Sequence, residues 1–160
     1  MAFLPTGYEI PQTSGYMKFQ PGKNRFRVLG GAIVGNEFWR SKGDGREPVR
    51  RRMGEMIAAS ELEWNAQRNA PEPIKAFWAF PVWSYAASAV QILEITQKGI
   101  MSSMQSLISE PDWGDPTNYD LVVTKSGSGL DTEYAVQPLP AKPLDPAIAS
   151  QPLPNLEALF

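Results

Sequence analysis

Apolar and polar side chains alternate over much of the first half of the chain. A period of two marks a strand with one buried face. After a short stretch at 16–20 and a Pro21-Gly22 turn, residues 24–31 place Phe26 and Val28 on one face and Arg25, Arg27 and Leu29 on the other. Residues 33–40 read as a second strand bent at Gly35-Asn36, and 41–47 as a polar loop. Residues 48–53 alternate again, with Val49 and Met53 opposite Arg50 and Arg52. Ser60 and Glu63 have the spacing of a capping box and predict a short helix to about residue 69, ended by Pro71 and Pro73. Residues 75–85 form an aromatic-rich strand. Ala86 to Ala89 is a hairpin connection, and 90–97 returns as a strand.

The period then changes. Ile100, Met101, Met104, Leu107 and Ile108 trace the apolar stripe of an amphipathic helix. A turn-rich stretch follows at 112–118, then two strands at 121–125 and 130–137. Ser126-Gly-Ser-Gly joins them as a hairpin loop. From Pro138 the composition shifts, because the last 23 residues hold six of the 15 prolines. They predict a flexible, disordered Pro-rich tail. The expected organisation is a lead-in over 1–15, a folded domain over 16–137 and the tail over 138–160. The fold class is mainly β: an OB-fold-like five-stranded antiparallel barrel with one amphipathic helix before the last hairpin.

Residues 76–93 carry no charge, which raises the question of a membrane span. Pro81 and the run of aromatic and β-branched residues favour strands instead. The first residues have neither the basic nor the apolar region of a secretory signal, so a cytoplasmic protein with no membrane partner is expected. The 160 residues contain no Cys and no His. This removes disulfides, thiolate or imidazole zinc sites, Cys nucleophiles and His-based triads. No phosphate-loop or nucleophile-elbow motif is present, and Asp112, Asp115 and Asp120 lack calcium-loop spacing and read as turn residues. No catalytic residue, metal or cofactor is expected, although Asp120, Glu133 and Lys125 leave a metal-dependent nuclease as a remote alternative.

The formal charge of −2 conceals an asymmetry. Residues 16–52 carry a net +7 and residues 101–160 a net −6. The basic front interleaves cations with aromatic rings on strands, the pattern that holds phosphates and stacks bases of single-stranded nucleic acid. If Trp78, Phe80 and Val82 face the core, then Lys75, Phe77, Trp83 and Tyr85 face outward. With Lys18, Arg25, Arg27, Trp39, Arg50 and Arg52 they form the candidate face for single-stranded DNA. The tail ends in apolar Leu156, Leu159 and Phe160, a candidate hook for a protein partner.

Several phrases resemble bacteriophage single-stranded DNA-binding proteins: Tyr16-Met-Lys-Phe-Gln-Pro-Gly, Pro48-Val-Arg, Ala76-Phe-Trp-Ala-Phe-Pro, Val90-Gln-Ile-Leu, Asp112-Trp-Gly-Asp-Pro and Gly129-Leu-Asp-Thr-Glu-Tyr. Together they cover about residues 16–137. The resemblance implies an OB-fold that coats single-stranded DNA in phage replication, recombination and repair, in the cytoplasm of the infected host. A polymerase, helicase or recombinase of the phage is the candidate partner of the apolar tail tip. Two departures stand out. The chain lacks the Cys and His of zinc-bearing proteins with this function, and its tail holds only Asp145 and Glu157 against Lys142, where the family type is strongly acidic. A protein-interaction scaffold of the replication machinery is the alternative reading.

Overall fold

A computed structural model describes residues 3, 4, 6 and 15–160. The lead-in expected over 1–15 therefore lies almost entirely outside the described residues. The molecule is mainly β. A seven-stranded antiparallel sheet is built from β1 (Gly22–Val28), β2 (Ile33–Lys42), β3 (Gly45–Arg52), β6 (Lys75–Ser84), β7 (Ala89–Ile95), β8 (Asp120–Ser126) and β9 (Glu133–Pro138). A small second sheet pairs β4 (Trp64–Asn65) with β5 (Ala70–Pro71). Helix α1 (Lys98–Ser109) precedes the last hairpin, and α2 is a single turn at Pro146–Ala149.

The sheet runs β3-β2-β6-β1-β8-β9, with β7 on the other edge of β6. It thus has seven strands where the sequence pattern predicts a five-stranded barrel. β1 and β2 share one edge of β6 in succession. Phe26 to Val28 pair with Ser84 to Val82, and Ile33 to Glu37 pair with Ala79 to Lys75. They behave as one long strand broken at residues 29–32. Pro81 explains the break. A residue's N–H and C=O point to the same strand edge, and the Pro81 carbonyl accepts from Leu29 N at 2.9 Å. Proline has no N–H to continue that ladder, so the partner strand departs there.

One face of the sheet makes the core with α1. Phe26, Val28, Phe80, Val82, Leu93, Ile95, Leu121 and Val123 pack with Ile100, Met101 and Met104. The period-two reading of 24–31 and 75–85 and the helical stripe of 100–108 match this arrangement. Gly35 stays inside the β2 ladder instead of making a bend. Its role is close approach, because a Cβ there would collide with the Arg51 carbonyl.

The helix expected from Ser60 does not form. The chain makes one 3-10 turn at Ala59–Glu61 and then the β4–β5 hairpin. Glu63, the presumed capping carboxylate, accepts instead from Ser41 N at 3.0 Å and Ser41 Oγ at 2.9 Å. Glu61 takes the capping role, accepting from Ala58 N at 2.9 Å.

The proline-rich tail also departs from expectation. It returns along the second face of the sheet. Leu139 N donates to the Asp120 carbonyl at 2.9 Å, and Lys142 N to the Asn118 carbonyl at 3.3 Å. Asp145 caps the α2 turn. Leu156, Leu159 and Phe160 then pack with Ile33 over Phe77, Ala79 and Ile92. Proline prevents regular pairing but does not prevent a docked extended segment, and three apolar side chains at the end supply the burial that fixes it.

Candidate nucleic-acid interface

The ladder registers place eight of the ten residues expected to meet DNA on one face of the sheet, and Tyr85 joins them just past the end of β6. Trp39 sits opposite Pro48, and Glu37 lies between Arg50 and Lys75. Gly35 is paired with both Arg52 and Phe77. Arg27 lies between Trp83 and Asp120, and Arg25 opposite Val122. These side chains therefore point away from the α1 core. Tyr85 N donates to the Arg25 carbonyl just past the end of β6, and the Arg25 guanidinium lies 4.7 Å from the Tyr85 ring centre. Lys18 lies before β1, beside β7, where Met17 N donates to the Ile92 carbonyl at 2.8 Å.

That shared face is divided in two by the tail. Phe77 is fully buried beneath it, with its ring centre 5.9 Å from that of Phe160. Arg52 donates to Glu157 at 2.8 Å and stacks on Phe160 at 4.6 Å. Phe77 is therefore not a free stacking platform, and Arg52 is engaged by the chain itself. The expected tail hook of Leu156, Leu159 and Phe160 is seated on this same patch.

Arg27 is a second correction. It is 1% exposed and donates to Asp120 Oδ1 at 2.6 Å and to the Thr117 carbonyl at 3.2 Å. Arg25 donates twice to Asp120 Oδ2, at 2.9 and 2.6 Å, and Tyr85 Oη donates to Oδ1 at 2.9 Å. Burial alone would raise the Asp120 carboxyl, but these hydrogen bonds outweigh it and hold the group below its ordinary value. A fully buried carboxylate demands counter-charge, and β8 places it directly across from Arg27. Asp120 is thus a structural anion with its oxygens occupied. Asp115 is a cap that accepts from Thr117 N. Among the described residues no group of three acidic side chains is arranged to hold a metal.

The other part of the face is open. Three shallow depressions of ≈ 630, ≈ 480 and ≈ 610 Å³ join end to end. The first two share Trp39 and the last two share Tyr16 and Lys18. The resulting furrow runs from Arg68 and Lys75, past Trp39 and Tyr16, to Lys18, Lys23 and Arg25. Trp39 is 40% exposed and Tyr16 39%. Arg68, Lys75, Lys18 and Lys23 form no ion pair among the described residues. Arg46 lies 5.9 Å from the Trp39 ring centre and donates to Glu72 at 2.5 Å. Trp83 and Tyr85 are half-buried, outside the string of exposed rings.

Beside Trp39 the floor holds two carboxyl groups. Glu37 is buried and Glu94 half-buried. Arg50 donates to Glu94 at 2.5 Å and approaches Glu37 to 3.5 Å. Burial and the neighbouring Glu94 push the Glu37 carboxyl up to about 8, against the pull of Arg50 and Lys75. Arg50 is therefore held inside the protein by acid partners and is not the free phosphate contact the alternation suggests.

Tyr16, Arg46 and Arg68 belong to the furrow and escaped the sequence argument. Arg46 had a readable signal. Gly43-Asp44 is a two-residue hairpin turn, Gly43 has φ +56°, and Lys42 pairs with Gly45. Reading 41–47 as a loop hid the register that places Arg46 beside Trp39. Arg68 lies at the tip of the β4–β5 hairpin, which no local pattern announced.

No protein-family model and no solved structure matches the chain. It is similar to a protein of Escherichia phage T5 named a probable ssDNA-binding protein, with 23% identity over 144 residues, covering 79% of this chain and 55% of that protein. The chain therefore spans about half the length of this curated relative.

Proposed function

We propose that this chain binds single-stranded DNA along the Arg68–Trp39–Tyr16–Lys23 furrow, without sequence preference and without a chemical step. The observation that carries the reading is the furrow itself: the exposed rings of Trp39 and Tyr16 set among Lys18, Lys23, Arg68 and Lys75, four cations that form no ion pair among the described residues. Such rings stack on any base, and such cations exchange counterions for phosphates. The exposed pair Arg46–Glu72 adds to this supply. Surface ion pairs contribute only about 0–1 kcal/mol, so a phosphate can replace the carboxylate at little cost. The name of the phage T5 relative points the same way. The antiparallel sheet with its helix before the last hairpin suits an OB-like reading. We assign the binding to phage DNA replication, recombination and repair in the host cytoplasm.

Titrating oligo-dT into the full chain at two salt concentrations, read by tryptophan fluorescence, tests this. The expected result is quenching with an affinity that falls steeply as salt rises. No binding at low salt would overturn the reading. Magnesium-dependent cleavage of the oligonucleotide would replace it with the nuclease reading. The tail as a free hook is less favoured, because its apolar tip already has a partner in Phe77.

A further inference from the structure

The α1 side of the sheet carries a second opening of a different chemistry. Between α1 and the core-facing side chains of β1, β2 and β6 lies a groove of ≈ 580 Å³. Val34, Trp78, Phe80, Met104 and Ile108 line it. Val34 is 36% exposed and Ile108 43%, so apolar surface stays open to water where α1 stops covering the sheet. Gly30 and Gly31 form part of the wall and bring no side chain into it. A Cβ on Gly31 would meet no atom within 4 Å, so this part of the groove is open space.

The rim has one sign. Asp115 lines the groove, and the loop that carries it also holds exposed Glu110 and Asp112. None of the three forms an ion pair among the described residues, whereas Glu47, Glu61, Glu72, Glu94 and Glu157 are each held by an arginine. Helix α1 ends beside them with no basic residue in its last turn. The negative end of its dipole is therefore uncompensated and adds to the three carboxylates.

We propose that this groove docks a basic peptide segment of a partner protein, anchored by leucine-, isoleucine- or phenylalanine-type side chains and flanked by lysine or arginine. Charge complementarity selects this occupant. A nucleic acid is repelled by the rim. The chain's own ends fit poorly in a second copy. Residues 1–15 contain Glu9 and no base, and residues 143–160 contain Asp145 and Glu157 and no base. Aliphatic anchors in an apolar slot with complementary charges at its edge are a recurring mode of peptide capture. Because the groove opens on the α1 side and the aromatic-basic patch on the other side of the sheet, a docked peptide and bound DNA occupy the molecule together. This inference rests on the groove alone and not on DNA binding.

The test uses the full chain and a fluorescein-labelled synthetic peptide with leucines at helical i, i+3 and i+4 spacing between lysine clusters, read by anisotropy at low salt. Binding is expected, and it should weaken about tenfold in Gly31→Leu, which fills the groove, and in the Glu110→Lys, Asp112→Lys double variant, which reverses the rim. Both variants alter exposed positions, and circular dichroism checks that they fold. Saturating oligo-dT should leave peptide affinity unchanged. No binding to the wild-type chain, equal binding to Gly31→Leu, equal binding of a glutamate-flanked peptide, or displacement by oligo-dT would each overturn the proposal. So would sedimentation showing that Gly31→Leu abolishes self-association while the peptide fails to bind, which would make a second copy the occupant.

Discussion

Trp39 and Phe77 show how two aromatic residues on one sheet face come to have opposite roles. Trp39 projects beside Arg46 into the furrow, and its loss removes a stacking platform without opening a cavity. Trp39→Ala is expected to weaken oligo-dT binding by about 1–3 kcal/mol, with a thermal midpoint near that of the parent chain. Phe77 is sealed between Ala79, Ile92 and Phe160. Phe77→Ala is expected to cost roughly 3–5 kcal/mol of stability, because it leaves a cavity under the tail. Guanidinium chloride unfolding of the two variants beside a binding titration separates these roles. The alternation of 75–85 was legible in the sequence and placed Phe77 on the correct face. What covers Phe77 was not legible, since the covering residues lie about 80 positions away in a segment whose composition argues against order.

Glu37 makes a further prediction at the same scale. Its carboxyl is raised from an ordinary 4.5 to about 8, so the folded chain keeps a proton that the unfolded chain releases between those values. The unfolded state thus binds fewer protons across this window, and stability falls as pH rises from about 4.5 to about 8, then levels off. Glu37→Gln keeps a neutral side chain at every pH. It is expected to remove that slope and to be more stable than the parent above pH 8. It should also bind oligo-dT more tightly there, because no new anion faces the phosphates. Thermal unfolding and anisotropy on both sides of pH 8 give the comparison. A parent chain whose stability does not change over the window would show that Glu37 ionises normally.

At the scale of elements, β1 and β8 are joined by more than their ladder. Asp120 receives Arg25, Arg27 and Tyr85, and so ties β1, the end of β6 and β8 together. Removing one partner of a buried pair costs about 3–5 kcal/mol, because the other charge is left unpaired. Asp120→Asn should therefore be destabilising by about that amount, with Arg27 stranded. Its hydrogen bonds hold the carboxyl below its ordinary value, so the stability it confers is present above pH 3.8 and is lost as pH falls below it. Urea unfolding of the variant and the parent at neutral pH measures the cost. The period-two and period-3.6 patterns located the long strands and α1, because one buried face imposes those periods directly. They missed the β4–β5 hairpin, whose strands of two residues are too short to show any period. They also misassigned Arg27, since alternation reports which face a side chain takes and not whether an acid from residue 120 awaits it there.

At the scale of the whole molecule, the charge asymmetry along the chain becomes pairing in space. Acids from later segments neutralise much of the basic front: Asp120 takes Arg25 and Arg27, Glu94 takes Arg50, and Glu157 takes Arg52. The last of these pairs belongs to the tail, which lies on the sheet beside the open furrow. Removing residues 155–160 should uncover Phe77 and release Arg52, adding a ring and a cation to the DNA-facing surface. It also exposes Ile33, Ala79 and Ile92 to water, so stability must fall. The truncated chain is expected to unfold at a lower temperature, yet to bind oligo-dT more tightly and with a steeper salt dependence, since one more phosphate contact becomes available. Glu157→Gln separates the two contributions. It removes the closer of the two carboxylates at Arg52, leaving Glu55 at 3.7 Å, and keeps Leu156, Leu159 and Phe160 in place, so it should reproduce part of the gain in affinity with little loss of stability. A truncation that loses stability without any gain in affinity would mean that the covered patch lies outside the path of the DNA, and that the furrow through Trp39 and Tyr16 is the complete interface.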